Sequence, residues 1–209
     1  MVAATRHIKD LDNFLQHCRL RDYDRGQTII YADDAPSTLY YIIEGSVAVL
    51  LEQDDTKEVI LACLNEGEFF GEMGLFDGQP SRSAFCRARQ PSRVAEIHYD
   101  QFRLYIHEHP EILFTIGGQM AQRLRNTTRK VGDLAFYDVT GRIARTLITL
   151  SKEPDAITHP DGMQIKITRR ELGRMVNCTR EVAGKVLKTL EEQRLIAIEG
   201  RFVVVYGTR

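Results

Sequence analysis

The stretch ITRRELGRMVNCTREVAGKVLKTLEEQRL, residues 167–195, carries the strongest structural pattern in the chain. Thr168, followed three residues later by Glu171, forms a capping box and predicts the start of a helix. Asn177 ends that helix, because asparagine tolerates the left-handed conformation better than other non-glycine residues. Thr179 then caps a second helical run. Two helices joined by a tight turn therefore follow from these residues.

The apolar residues of both predicted helices repeat on one side. After them, LIAIEGRFVVVYG, residues 195–207, alternates around a turn at Glu199 and Gly200 and predicts a β-hairpin. Two helices, a tight turn and a hairpin make a winged helix-turn-helix. The predicted buried positions are Leu172, Met175 and Val176 in the first helix and Val182, Val186, Leu187 and Leu190 in the second.

The other side of the second helix presents Arg180, Glu181 and Lys185. In a helix-turn-helix the N-terminal turn of this helix faces the major groove of DNA. Arg180 can donate two bonds to guanine O6 and N7, Glu181 can accept from cytosine N4, and Lys185 can reach base edges or phosphate. The alternative is an ordinary solvated face of i,i+4 charges. Arg169 and Thr179, near the helix starts, are expected to contact phosphates, and Lys166 is also expected to contact DNA.

Upstream, residues 28–97 contain short β-branched or aromatic runs separated by turn residues. Strands at such close spacing are typical of an antiparallel jelly-roll, whose narrow interior can hold one small ligand. The predicted strands are TIIYA, TLYYIIEG, SVAVLLEQ, EVILACLNEG, RSAFCRAR and RVAEIHY.

From 111 to 138 the apolar period changes to a helical one. A long stripe of this kind favours a parallel homodimer seam; packing of the helix back on the β-domain is the alternative. Asp138 is a good N-cap for the next helix, so residues 133–139 are predicted to be a short hinge. Residues 153–164 are predicted to be a polar loop. The stripe consists of Leu113, Ile116, Met120, Leu124, Thr127, Val131 and Leu134.

Residues 67–88, GEFFGEMGLFDGQPSRSAFCRA, place Glu72, Arg82 and Ser83 among apolar side chains. Buried charges are costly unless they are paired. A mutual Glu72–Arg82 pair accounts for the burial but not for Ser83 or the glycines.

Length, composition and charge distribution restrict the classes of protein to which this chain can belong. The chain has 209 residues and no apolar run long enough to cross a membrane, and its start does not resemble a signal peptide, so a cytoplasmic protein is expected. Its four cysteines are scattered, which argues against a metal site. Residues 1–137 hold 15 basic and 20 acidic residues, whereas 138–209 hold 13 and 9, which favours a polyanion partner for the C-terminal part. No set of residues with catalytic spacing can be placed, so an enzyme is not expected.

The whole chain resembles the cyclic-AMP receptor protein family, the CRP/FNR transcription regulators. The resemblance implies an α+β architecture. Its parts are an N-terminal jelly-roll domain that binds a cyclic nucleotide (1–110), a long dimerisation helix with a hinge (111–138) and a C-terminal winged helix-turn-helix domain (139–209). The stretches that carry it are LYYIIEGSVAVL, GEFFGEMGLF, RSAFCRA, KVGDLAFYDVTGRIARTL, PDAITHPDGMQIKITRREL and VVVYGTR.

The resemblance also implies cyclic AMP as allosteric effector. Arg82 and Ser83 would hold the cyclic phosphate, and Glu72 would accept from a ribose hydroxyl and orient Arg82. Gly71 would let the backbone approach the sugar, and Leu61 would lie against the purine. Thr127 matches the position that bonds the adenine, and the neighbouring Thr128 would face the ligand of the other subunit.

The same resemblance implies a homodimer that binds palindromic DNA with TGTGA-like half-sites and recruits RNA polymerase through Thr158, His159 and Gly162. Three positions depart from the family pattern. Val182 replaces a hydroxyl residue, Lys185 replaces an arginine and Asn177 replaces a glycine. A regulator of the same fold that responds to cyclic di-GMP is the alternative, although such relatives tend to lack the Arg–Ser pair found here.

Overall fold

A computed structural model of the chain describes residues 8, 10–54, 57–76, 78, 80–153 and 155–208. The chain divides into two compact units at the Thr128–Arg129 bond, which lies inside the longest helix. No helix in the described ranges is long and apolar enough to cross a lipid bilayer. The mixed architecture confirms the α+β prediction.

The first unit is a β-sandwich with helices packed on the outer face of one of its sheets. Its helices are α1 (Leu11–Gln16), α2 (Met73–Phe76), α3 (Tyr99–Glu108) and most of α4 (Glu111–Phe136). Its strands are β1 (Arg19–Tyr23), β2 (Thr28–Ile30), β3 (Thr38–Glu44), β4 (Ser46–Asp54), β5 (Lys57–Asn65), β6 (Phe69–Phe70), β7 (Phe85–Ala88) and β8 (Ser92–His98). They form two four-stranded antiparallel sheets in the orders β1-β8-β3-β6 and β2-β7-β4-β5.

All six predicted strands are present in this sandwich, but β1 and β6 were not predicted. Residues 19–22 of β1 are exposed and largely polar, so the strand lacks the alternation on which such predictions depend. Strand β6 has only two residues. Both are paired by their neighbours β8 and β3, which a local pattern does not reveal.

Strand β3 shows how the sandwich is buried on both sides. Leu39 and Tyr41 pack with the helices, against Phe14, Phe69 and Phe102. Ile42 and the half-buried Tyr40 pack on the opposite face, into the core between the two sheets. Because successive side chains of a strand alternate between faces, this strand is apolar along most of its length.

The second unit is a small helical domain with one antiparallel sheet, in the order β11-β12-β10-β9. Its buried core draws on both helix-turn-helix helices and on the sheet, with Leu172, Leu187 and Val203 among its members. Its elements are α5 (Val139–Leu150), β9 (Ile157–His159), β10 (Gly162–Lys166), α6 (Arg169–Val176), α7 (Arg180–Glu192), β11 (Ile196–Glu199) and β12 (Phe202–Tyr206).

Three expectations for the second unit are corrected. Residues 153–164 are not one loop, because β9 and β10 pair as a hairpin. The hinge is shorter than 133–139: the amide of Tyr137 donates to the carbonyl of Asp133 (3.1 Å) and α4 continues to Phe136. Only Tyr137 and Asp138 remain outside helices α4 and α5.

The third correction concerns the buried side of α7. Val182 is 37% exposed, whereas Ala183 is completely buried beside Leu187 and Leu190. The buried positions therefore start one residue later, which is about 100° around a helix. The small side chain of Ala183 made it inconspicuous in the apolar pattern.

Candidate ligand pocket and nucleic-acid interface

The segment between β6 and β7 begins with a glycine that no other residue could replace without strain. Gly71 has a φ of +74°. A Cβ placed there would lie 3.0 Å from Nη1 of Arg82, 3.0 Å from Cδ2 of Tyr40 and 3.2 Å from the carbonyl of Thr38. Both the backbone conformation and the close approach therefore require glycine.

Replacing Gly71 with alanine tests this requirement. We expect Gly71→Ala to lower the free energy of unfolding by about 2 kcal/mol, the sum of backbone strain and displacement of its neighbours. Gly26→Ala is the matched control, because Gly26 has a φ of +86° and a Cβ added there would meet no heavy atom within 4 Å. Urea unfolding of both variants should show the larger loss at Gly71; equal losses would contradict a crowded site.

The guanidinium of Arg82 is buried and held by neutral oxygens. Its Nη1 donates to the carbonyl of Gly71 (2.8 Å) and to the hydroxyl of Tyr99 (2.9 Å), and its Nη2 donates to the carbonyl of Thr38 (2.7 Å). Arg82 is only 9% exposed. Within the described residues no carboxylate lies at ion-pair distance from it. A fixed, buried cation without a counter-charge is a site suited to an anion.

Glu72 has a different partner from the one expected. Its Oε1 accepts from Nη1 of Arg123 (2.9 Å), a residue of α4, and Glu72 is 7% exposed. Arg123 also donates to the carbonyl of Phe69, while its buried Nε has no hydrogen-bond partner among the described residues. The expectation that Glu72 orients Arg82 is therefore wrong: the carboxylate pairs with α4 instead.

A second α4 side chain fastens the helix to the same segment. The amide of Phe69 donates to Oε1 of Gln119 (2.8 Å), and Nε2 of Gln119 donates to the carbonyl of Gly67 (2.9 Å). Gln119 and Arg123 are four residues apart and so share one helix face. Sequence reasoning missed both. The sequence feature that could have indicated them is this pair of polar residues, four positions apart, beside the apolar stripe.

The remaining expected ligand residues have different surroundings. Ser83 is exposed, with its hydroxyl 3.6 Å from the sulfur of Met73. Leu61 is half-buried on β5, and Thr127 is exposed on α4. The hydroxyl of Thr128 donates to the carbonyl of Leu124 in its own helix (3.0 Å). Of the residues expected to bind the ligand, Gly71 and Arg82 are in direct contact with each other.

The apolar stripe of α4 divides into two parts. Ile116 is buried against the first unit's core, and Leu113 and Met120 are partly buried there, so this half follows the alternative of packing on the β-domain. The second half is open, with Leu124 68% and Val131 61% exposed. The C-terminal half therefore leaves the larger apolar surface of the stripe uncovered.

The helix-turn-helix has the predicted caps. The amide of Glu171 donates to Oγ1 of Thr168 (3.1 Å), and the amide of Val182 donates to Oγ1 of Thr179 (3.2 Å). Asn177 is left-handed, with φ 55° and ψ 60°. A Cβ on Gly173 would lie 2.6 Å from the carbonyl of Cys178, so the two helices meet closely at the turn.

The expected DNA-contacting side chains lie on the surface of this unit. Arg180 and Lys185 are exposed, and Glu181 is exposed in the first turn of α7. The pKa of Glu181 is lowered, because backbone and Thr179 hydrogen bonds stabilise its carboxylate at the helix start. Lys166, Arg169 and Thr179 are also exposed, and the Arg169 side chain reaches towards Gly184 of α7.

The residues expected to contact polymerase lie on the β9–β10 hairpin. Thr158 is exposed on β9, which is an edge strand of its sheet. His159 pairs with Gly162 across the hairpin. A Cβ on Gly162 would lie 2.0 Å from the carbonyl of Val205, so this glycine has a packing role as well.

Comparisons with known proteins agree with this geometry. Residues 20–109 match the family model of the cyclic nucleotide-binding domain, and residues 141–206 match that of the Crp-like helix-turn-helix domain. The chain is 57% identical to the cAMP-activated global transcriptional regulator Vfr of Pseudomonas aeruginosa over the full length of both. It is 54% identical to the cAMP-activated global transcriptional regulator CRP of Salmonella typhimurium, over 95% of each chain.

Among solved structures, the c-di-GMP responsive global regulator CLP of Xanthomonas campestris is similar, with a TM-score of 0.86 and 44% identity. That match covers 95% of this chain and 98% of the other. A transcriptional regulator of the CRP family from Thermus thermophilus, TTHB099, matches with a TM-score of 0.76 and 25% identity over 89% of this chain and 91% of its own.

Proposed function

The chain belongs to the CRP family of cyclic-AMP-activated transcription regulators, which are not enzymes, and we propose that its Arg82 site binds the cyclic phosphate of the effector. The supporting observation is the buried Arg82 guanidinium, which neutral oxygens hold beside Gly71 and which has no described counter-charge. An incoming phosphate supplies that charge and can accept two parallel hydrogen bonds. The exposed Ser83 hydroxyl, which lies 3.6 Å from the Met73 sulfur, could add a further hydrogen bond to the phosphate.

The ribose would bind at the Glu72–Arg123 pair. Glu72 can accept from the ribose hydroxyl while its other oxygen stays paired with Arg123. A ligand there would bond to Glu72, whose ion-pair partner Arg123 belongs to α4. Ligand occupancy and the position of α4 are therefore energetically linked. Leu61 would lie against the purine.

The protein acts as a dimer, as expected for this family. We assign the seam to the exposed C-terminal half of the α4 stripe, because its large apolar side chains lie uncovered at helical spacing. Thr127 lies within that stripe and would bond the adenine, and Thr128 would face the ligand of the other subunit. The seam residues are Leu124, Thr127, Val131 and Leu134.

The second unit binds double-stranded DNA. We propose that Arg180 and Glu181 contact base edges of TGTGA-like half-sites and that Lys185 contacts an edge or a phosphate. Lys166, Arg169 and Thr179 would contact phosphates and so position α7 without selecting sequence. Because Lys185 carries a point charge rather than a planar fork, base discrimination at its position should be weaker than with arginine.

RNA polymerase is the proposed protein partner, through the β9–β10 hairpin. Thr158 supports this assignment, because it is exposed on an edge strand, where a partner can approach both backbone and side chain. His159 and Gly162 lie opposite each other on the same hairpin. With DNA and polymerase as partners, the protein is expected to act in the cytoplasm.

Mobility shifts on a palindromic duplex test the proposed function directly. We expect cyclic AMP to tighten DNA binding by at least about tenfold, within the usual range of allosteric coupling. Parallel samples contain cyclic GMP, cyclic di-GMP or no nucleotide, and a scrambled duplex controls for sequence preference. Equal binding with and without cyclic AMP would contradict the proposal.

Cyclic di-GMP is the second candidate effector, because the similar CLP structure is that of a c-di-GMP responsive regulator. The intact Arg82 site favours a ligand with one cyclic phosphate. A DNA response to cyclic di-GMP in the absence of any response to cyclic AMP would establish the alternative.

A further inference from the structure

Three side chains meet where α4 ends and α5 begins; we name Asp133, Tyr137 and Arg145 the hinge clamp. Nε of Arg145 lies 2.9 Å from Oδ1 of Asp133, as an ion pair rather than a well-directed hydrogen bond. The guanidinium carbon lies 4.9 Å from the centre of the Tyr137 ring. Nη1 of Arg145 also donates, at 3.4 Å, to the Tyr137 hydroxyl.

A neighbouring arginine extends these contacts to the helix-turn-helix. Nη1 of Arg142 donates to the carbonyl of Tyr137 (3.0 Å), and its Nε donates to the carbonyl of Val176 (3.2 Å). Val176 is the last residue of α6, directly before the left-handed Asn177 of the turn. Arg145 thus connects the hinge to Asp133 in the last turn of α4, and Arg142 connects it to Val176 at the end of α6.

The hinge needs such ties because its backbone is short and not helical. Tyr137 and Asp138 separate two helices, and their dihedral angles can absorb a rotation of α4 before it reaches α5. Arg145 resists this absorption of the rotation at the hinge, because a change in the Tyr137 dihedral angles would break its ion pair with Asp133 and its contact with the Tyr137 ring together. Asp133 is four residues from Tyr137, so the last turn of α4 is included in the clamp.

We propose that Arg145 is a positioning residue for allostery, which makes the last turn of α4 and the start of α5 move as one body. The proposal rests on the proposed function, since it concerns the transfer of the effector signal to DNA binding. Arginine suits the position because its planar group can pair with a carboxylate and lie over an aromatic ring at once.

The test measures DNA affinity of the full-length protein with and without saturating cyclic AMP, by fluorescence anisotropy on the palindromic duplex. The ratio of the two affinities is the coupling. We expect Arg145→Gln to reduce the coupling by about fivefold, the change that roughly 1 kcal/mol makes in an equilibrium constant. Tyr137→Leu, which removes the aromatic ring, should also reduce the coupling. Cyclic AMP affinity, measured by calorimetry, should stay within about twofold in both variants, a change too small for loss of the phosphate site.

Two further variants separate positioning from folding and from charge. Arg145→Lys keeps a cation that can pair with Asp133 but lacks the planar group that also lies over the Tyr137 ring, so we expect it to restore only part of the coupling. Lys152→Gln removes the same charge from an exposed position just after α5 and should leave the coupling unchanged. Thermal unfolding of each variant verifies that the domains remain folded.

Coupling in Arg145→Gln within twofold of the unmodified protein would overturn the proposal. Equal losses in Arg145→Gln and Lys152→Gln would also overturn it, because general electrostatics would then account for the effect. If the unmodified protein shows no coupling to cyclic AMP, it is the proposed function that fails. The two failures are therefore distinguishable.

Discussion

Replacing Arg82 with leucine should weaken cyclic AMP binding by at least about thirtyfold, and most of the expected range is close to abolition in a calorimetric titration. Removing one member of a desolvated, hydrogen-bonded charge pair costs roughly 2–5 kcal/mol. In the Arg82→Leu variant the remaining member of the pair is the ligand phosphate, which would have to enter a buried site that no longer holds a positive charge. Isothermal titration calorimetry measures the effect directly.

Three further variants show whether the loss reflects charge or local unfolding. Arg82 also organises the carbonyls of Gly71 and Thr38, so leucine could disturb the segment itself. Arg82→Lys keeps the charge and should bind more tightly than Arg82→Leu. Tyr99→Phe removes the hydrogen bond that the guanidinium donates to this hydroxyl and the bond that the hydroxyl donates to the carbonyl of Gly71. It keeps the charge of Arg82, and we expect it to weaken cyclic AMP binding by about 1 kcal/mol.

Arg103→Leu is the matched control for surface charge. Arg103 is exposed and pairs with Asp100 within one helix (2.9 Å), outside the β6–β7 segment. We expect its cyclic AMP affinity to be unchanged. Undiminished binding in Arg82→Leu, with a folded protein, would refute the phosphate assignment.

Replacing Arg180 with alanine should remove most of the preference for TGTGA-like half-sites. A bidentate contact to guanine is worth about 1–3 kcal/mol of discrimination, and a dimer on a palindrome makes it twice. We therefore expect the affinity ratio between palindromic and scrambled duplexes to fall by about thirtyfold or more. Fluorescence anisotropy with saturating cyclic AMP measures both affinities.

Lys188→Ala is the matched control for Arg180→Ala. Lys188 is exposed on the same helix and has Glu192 as an ion-pair partner at 3.8 Å. Loss of its charge should weaken binding to both duplexes alike and leave their ratio near that of the unmodified protein. A full sequence preference in Arg180→Ala would refute its role at a base edge.

The helix-turn-helix could be predicted because its information is local. Thr168 and Thr179 cap helices through hydrogen bonds to amides three residues ahead, and Asn177 supplies its own left-handed conformation. Each of these capping hydrogen bonds joins residues only three positions apart. The exception was Ala183, whose burial depends on packing against other elements rather than on local pattern.

The partner of Glu72 could not be predicted in the same way. Its ion pair joins residues 51 positions apart, through Arg123 of α4. Gln119 contacts residues 50 and 52 positions away. These contacts exist only once α4 has packed on the sandwich through Ile112 and Ile116. The apolar stripe predicted the helix but not the division between its buried and exposed halves.

By itself, the sequence determined the elements that short-range chemistry specifies: the capped helices of the second unit, the alternating strands of the sandwich, and Glu72, Arg82 and Ser83 as polar residues within an apolar segment. The tertiary structure decided the pairings. It gave Arg82 the oxygens of Gly71, Thr38 and Tyr99, and it gave Glu72 the guanidinium of Arg123. The physical reason is that a side chain's partner is set by which backbones pack together, and this packing minimises exposed apolar surface over the whole unit rather than over neighbouring residues.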